Sequence, residues 1–289
     1  MALPNLPPNE VTPDQHVFDE ALGRAPGRGR LNGRRIMVVG AGQRPTVDEE
    51  PPVGNGRATS LLFGREGAHV ACIDINREAA EATASRIVRE GGKALVDVAD
   101  VGEAGEISPL VDRCHAQLGG LDGLVLNVGI SKGLRLDAMT AEIWDRDFAV
   151  NVRSNMLFAQ KALEVMEPGS TIVIISSLAS LRAVGRNPAY ETSKAAQVAL
   201  TRSIAMAGEA KGLRCNAIAP GYVDTPMGRD ASRRRPNRAT FVPFGRQATG
   251  WEVAYAALFL TSRESSYVNA HCLVLDGGHH VGIVRGGGT

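Results

Sequence analysis

The stretch "IMVVGAGQRPTVDEEPPVGNGRATSLLFGREGAHVACIDIN", Ile36 to Asn76, decides the fold. It begins with an apolar run that ends at Gly40. A glycine pair, Gly54 and Gly56, flanks Asn55 and opens a segment with helical apolar spacing; a second apolar run then closes on Asp74. Strand, glycine turn, helix and strand is the order in which a dinucleotide is held. A pyrophosphate needs a tight turn, a backbone without side chains and a helix N-terminus with unpaired N–H groups. A carboxylate ending the second strand can accept both hydroxyls of an adenosine ribose. Between Gly40 and Gly54 stand thirteen residues, "AGQRPTVDEEPPV". Pro45, Pro51, Pro52 and the acids Asp48, Glu49 and Glu50 suit an exposed loop. Closing a longer loop costs only about 0.6 kcal/mol per doubling of length. The stretch therefore reads as a working nucleotide site with an added flap over the cofactor or cleft.

Working outward, short apolar runs alternate with longer segments of helical spacing. The runs are "IMVVG", "AHVACIDI", "KALVDV", "LDGLVLN", "STIVIIS", "LRCNAIA" and "HCLVLD". Strands apolar on both faces, alternating with helices, imply a parallel sheet covered on both sides. Seven strands and six helices make one doubly wound, Rossmann-type α/β domain over residues 31–289. Residues 1–30, broken by Pro and Gly, read as an N-terminal extension, loosely ordered or laid on a neighbour. In such a sheet ligands bind beyond the carboxyl ends of the strands. Gly40, Asp74, Asp100, Asn127, Ser177 and Pro220-Gly221 all stand there.

The chain has 289 residues, 44% of them hydrophobic, and a formal net charge of +1. That balance offers no basic field for nucleic acid or an anionic membrane. No apolar run approaches the length of a bilayer span, and the N-terminus carries no signal or transit pattern. The expectation is a soluble, cytoplasmic protein. Cys72, Cys114, Cys215 and Cys272 form no C-x-x-C pair and read as small core residues of a reducing compartment. His279 and His280 lack a partner at ligand spacing, so no metal is expected.

The stretch "SSLASLRAVGRNPAYETSK" carries the chemistry. Tyr190 and Lys194 are four apart and share one helix face. Ser177, thirteen residues before Tyr190, ends a strand and faces the same cleft. A free phenol has a pKa near 10, too high for a base at neutral pH. A lysine ammonium nearby favours the phenolate. The set suits removal of a hydroxyl proton as a hydride leaves, or its return to a ketone oxygen.

At these residues the chain resembles the short-chain dehydrogenase/reductase family, from about Asn32 to Gly278. The family's glycine motif, T-G-x-x-x-G-x-G, reads here as Val39-Gly40, thirteen residues and Gly54-Asn55-Gly56, ten more than the family has. "ADV" supplies Asp100 and Val101 beside the adenine, and "NVG" supplies Asn127, Val128 and Gly129. The resemblance adds Asn151 from "FAVNVRSN" to Ser177, Tyr190 and Lys194 as a catalytic tetrad. Asn151 then either bends its helix or holds a water leading from Lys194 to solvent. "APGYVDT" places Pro220, Gly221, the Val223 backbone and the Thr225 hydroxyl at the nicotinamide. Tyr190 and Lys194 also count among the cofactor contacts.

The function expected is hydride transfer between NAD(H) and a secondary alcohol or ketone, with Tyr190 as general acid and base. Asp74 disfavours the 2′-phosphate of NADP, unless Arg44 and Arg57 lie near enough to offset it. The alternatives are a noncatalytic nucleotide sensor or partner-binding protein on the same fold, which would not need Tyr190 with Lys194, and an epimerase or dehydratase of the extended branch, which the short C-terminal part opposes. Arg229, Arg233, Arg234, Arg235 and Arg238, after Thr225, read as a mobile solvated lid, with capture of an anionic substrate as the sharper reading. A homotetramer is expected from the resemblance and from surplus apolar residues on 143–166 and 189–212. The tail from His279 onward is a candidate to reach a neighbour.

Overall fold

The computed structural model describes residues 17–282. Its main sheet has seven parallel strands in the order β3-β2-β1-β4-β5-β6-β9. These are β1 (Arg35–Val39), β2 (His69–Asp74), β3 (Lys93–Val98), β4 (Gly123–Leu126), β5 (Thr171–Ile175), β6 (Arg214–Pro220) and β9 (Cys272–Leu275). The order reverses direction between β1 and β4, so the switch point of this doubly wound sheet opens at Gly40 and Asn127. All seven expected strands are present.

Strand alternation builds the two faces. Met37 and Val39 of β1 join a core with α3 (Ala104–Leu118), α5 (Ser154–Val165) and α6 (Pro188–Gly208). Ile36 and Val38 join the opposite core with α1 (Asn55–Arg65), α2 (Arg77–Arg89) and α8 (Gly250–Thr261). Both sides of each central strand are thus apolar, as the continuous runs required.

Three features depart from the sequence expectations. The helix expected at 143–166 is α4 (Ala141–Phe148) joined to α5 through a π-helical turn at Ala149–Arg153. The Arg-rich stretch after Thr225 contains helix α7 (Pro226–Arg234) and a 3-10 turn at Pro236–Phe241. It is framed by a small parallel pair, β7 (Val223–Asp224) and β8 (Ala248–Thr249). Finally, the described part of the N-terminal extension is bonded to its own domain. Thr249 donates to the Ala21 carbonyl at 2.7 Å, and Arg65 donates to that of Gly23 at 2.6 Å. The backbone amides of Arg28 and Arg30 donate to the buried Glu66 carboxylate at 3.0 and 2.9 Å. Gly23, at φ +67, lies so close to Trp251 that a Cβ would overlap the indole. The extension is drawn onto its own domain because Glu66, buried at the end of α1, needs donors. Residues 1–16 and 283–289, including most of the glycine-rich tail, fall outside the described residues.

Candidate functional site

At the nucleotide end, Gly40 turns at φ +83 and its amide donates to the Ile73 carbonyl at 2.8 Å. A Cβ on Gly56 would lie 1.8 Å from the Gly40 carbonyl oxygen, so the two glycines separated by the long loop touch in space. Gly54 precedes the first turn of α1, which has no side-chain cap and no acidic residue. Asn55 Oδ1 is buried without a partner. Uncapped N–H groups, backbone in place of side chains and an unmatched polar atom fit a pyrophosphate. Asn127 holds the cradle from below, its Nδ2 donating to the Gly40 carbonyl at 3.0 Å, and Val128 packs against Gly40.

Asp74 ends β2, accepting from the amides of Gly42 at 2.9 Å and Asn76 at 3.0 Å. Gly42 escaped the sequence reading, although a Cβ there would come within 2.7 Å of Asp74 Oδ2. Its signal was faint, a glycine inside the supposed insertion. Arg57 is directed to Thr83 and the Ala79 carbonyl. Arg44 lies 3.9 Å from Asp230. Asp100 pairs with Arg146 at 2.8 Å and accepts from the Gly102 amide. Burial alone would raise the Asp100 pKa, but Arg146 and that amide outweigh it and hold it below the usual carboxylate range. The neighbouring Val101 is buried.

The four tetrad residues expected from the resemblance come together on α5's approach, β5 and α6. Ser177 lies near enough to the Tyr190 phenol to favour its ionised form. Lys194, only 2% exposed, donates from Nζ to the Ile175 carbonyl at 3.0 Å and lies 5.5 Å from the Tyr190 ring centre. Gly129 leaves room for it: a Cβ there would stand 3.1 Å from Nζ. Burial pushes the Tyr190 pKa up, although Ser177 pulls it down. The depressed phenol expected from the sequence relied on the positive nicotinamide ring as well as on the lysine. A phenolate beside apolar packing is disfavoured until enough positive charge faces it. Burial also lowers the Lys194 pKa to about 7.

Asn151 sits inside the π turn. Its side chain accepts from the Ile130 amide at 2.9 Å and donates to the Ile130 carbonyl and to Ser193 Oγ, each at 3.0 Å. Ser193 in turn donates to the Tyr190 carbonyl at 2.8 Å. A π turn frees a backbone carbonyl from the ordinary ladder, and that of Asn151 accepts from Gln197 Nε2 at 2.7 Å. Gln197 was missed, though it lies three residues beyond Lys194 on the same helical face.

Pro220 ends β6, and Gly221 donates to the Leu275 carbonyl at 2.8 Å. Val223 lies in β7, and the Thr225 hydroxyl caps α7 by accepting from Gly228. The arginines of this region are not uniformly solvated. Arg229 pairs with Asp224 at 2.9 Å and reaches Asp48 at 3.7 Å; Arg233 pairs with Asp48 at 2.8 Å. The flap is therefore fastened to α7, by residues too distant in sequence for any local pattern to show. His280 bonds Asp276 at 2.8 Å, and His279 packs on Tyr222. Among the described residues no cluster of His, Cys, Asp or Glu could hold a metal ion, and no helix is long and apolar enough to cross a membrane.

Residues 53–280 match the family described as Enoyl-(Acyl carrier protein) reductase, a span that starts where the flap ends. The chain is 31% identical to the 3-oxoacyl-(acyl-carrier-protein) reductase FabG of Thermotoga maritima, over 86% of this chain and 98% of that protein. It is 35% identical to the 2-(R)-hydroxypropyl-CoM dehydrogenase of Xanthobacter autotrophicus, over 78% of this chain and 94% of that one. The fold superposes on a variant of a Serratia marcescens short-chain dehydrogenase/reductase with a TM-score of 0.80 at 30% identity, covering 86% of this chain and 99% of that one.

Proposed function

The chain belongs to the short-chain dehydrogenase/reductase family, and from that premise we propose that it transfers a hydride between NAD(H) and a secondary alcohol or ketone, with Tyr190 as general acid and base. The observation that carries this reading is Tyr190 beside Ser177, with Lys194 Nζ 5.5 Å from its ring centre, at the same carboxyl end of the sheet as the glycine cradle. The family's nicotinamide cofactor, when bound, supplies the hydride acceptor or donor. Gly40, Gly54, Asn55 and Gly56 would hold its pyrophosphate and Asp74 its ribose. Asp100 and Val101 would border the adenine, with Asn127, Val128 and Gly129 lining the middle. Pro220, Gly221, Val223 and Thr225 would orient the carboxamide, the Thr225 hydroxyl donating there while it accepts from Gly228.

The chain's own groups divide the proton work. Ser177 fixes the substrate oxygen and Tyr190 takes its proton during oxidation, or returns it during reduction. Lys194 lends positive charge to the phenolate. Asn151 holds Ile130 and Ser193 in place, so the Tyr190 backbone cannot drift from the cleft. The π turn supports the bending role for Asn151.

The NAD preference rests on Asp74. Its carboxylate accepts from two amides and no arginine bonds to it, although Arg57, bonded to Thr83, stands near enough to feel its charge. A 2′-phosphate there would face like charge. A panel of secondary alcohols, diols and hydroxysteroids, followed by NADH absorbance, tests the reaction. Tyr190→Phe should cut kcat by about 10²-fold or more while NAD binding persists. Equal efficiency with NADP would defeat the Asp74 argument, and an active phenylalanine variant would defeat the role of Tyr190.

A further inference from the structure

The five arginines after Thr225 have different fates. Arg229 and Arg233 are neutralised by Asp224, Asp230 and Asp48. Arg238 is not. It is 8% exposed, yet among the described residues no carboxylate pairs with it. One guanidinium nitrogen donates to the Gly228 carbonyl at 3.0 Å, the guanidinium lies 4.1 Å over the Tyr222 ring, and Nε meets no acceptor. Its charged neighbours are Arg234 and Arg235, both cations. A buried cation without a counter-charge is costly, and the cost falls when an anion arrives.

Space for that anion is present. Arg238 lines a cavity of about 300 Å³ with Arg186, Arg235, Pro236, Asn237 and Phe241. Arginine stems, Pro236 and Phe241 make most of the wall apolar. Arg186 stands four residues before Tyr190, so the cavity adjoins the segment leading to the reacting phenol. The His279 ring lies 4.8 Å from that of Tyr222, and its Nδ1 also lacks a partner. The nearby Asp276 carboxylate is already spent on the Gly278 amide and on His280.

We propose that this cavity receives the anionic end of the substrate, a carboxylate carried on a small apolar body, with Arg238 as its counter-charge and Arg186 and Arg235 at the rim. The proposal rests on the dehydrogenase reading and narrows its substrate class to hydroxy or keto acids. It draws on the buried arginine of this stretch, which the flap and α7 leave without an acid.

The test compares 4-hydroxycyclohexanecarboxylate with its methyl ester as substrates of the NAD-loaded enzyme. The acid should have a kcat/KM at least tenfold above the ester. Arg238→Gln should raise KM for the acid far more than for the ester, with kcat little changed, and Arg238→Lys should restore part of the difference. Calorimetry with cyclohexanecarboxylate against cyclohexanecarboxamide reads the anion site without turnover. Should Arg238→Gln not fold, the exposed pair Arg186→Gln and Arg235→Gln should still weaken the acid selectively. Equal handling of acid and ester, or of carboxylate and carboxamide, overturns the proposal. Carboxylate binding that depends on Arg238, with neither alcohol oxidised, would uphold the anion site and defeat the dehydrogenase reading.

Discussion

At the scale of single residues, Lys194 sets stability against chemistry. The ammonium is buried, and that burial lowers its pKa from the ordinary lysine value to about 7. The unfolded chain therefore holds more protons than the folded one between about pH 7 and the ordinary lysine pKa, and stability rises with pH through that window. Below it both states are charged and the penalty is fully present. Lys194→Met should raise the thermal stability of the cofactor-free protein at pH 6 by on the order of 1–3 kcal/mol, less whatever the Ile175 carbonyl loses with its donor. The gain should shrink toward pH 10, and turnover should vanish throughout. Melting curves across pH decide it, and a variant less stable at pH 6 would contradict the account. Tyr190, Lys194 and Ser177 were legible in the sequence because short fixed spacings put them on one helix face and one strand end. Gln197 and Gly42 were not, since each acts through a backbone atom that no residue pattern reveals.

At the scale of elements, the flap and α7 act as one body. Asp48, from the inserted loop, lies between Arg229 and Arg233 of α7, and Arg229 also donates to the Glu50 carbonyl at 3.1 Å. Water and salt screen such surface pairs, so the fastening is weak and sensitive to ionic strength. Asp48→Asn, or added NaCl with the unaltered protein, should speed release of the dinucleotide about two- to fivefold, as stopped-flow fluorescence of bound NADH would record. Deleting 44–51 should leave the sheet folded and NAD still bound, because Gly40 and Gly56 remain in contact. Loss of folding or of all NAD binding on deletion would make the loop part of the cradle itself. The seven strands were readable as apolar runs bounded by turn residues. The pairing of β7 with β8 was not, because two-residue strands carry no period. The π turn escaped too, as its apolar spacing passes for an ordinary helix.

For the whole molecule, the pattern of exposed apolar side chains bears on assembly. Met156 of α5 and Met206 of α6 are 41% and 64% exposed on helices whose other faces are in the core. The proposal of a homotetramer rests on these surplus residues and on the family. Light scattering at working concentration should give four times the mass of one chain, and a monomer mass would remove the proposal. The extension before β1 was the least legible part. Its prolines and glycines resemble disorder, while its real anchors are Glu66 and Trp251, far along the chain. Local composition cannot report a partner of that kind.

The base of the flap offers one more consequence. Gln43 Oε1 accepts from the Gly54 amide at 3.2 Å, so the loop leaves and rejoins the domain at nearly one point. A segment attached through such a neck can change length and content without moving the strands around it. The neck is thus a splice port beside the mouth of the cleft. A fluorescent reporter or a peptide tag grafted there should leave the seven strands folded, as the melting curve of the tagged protein would record.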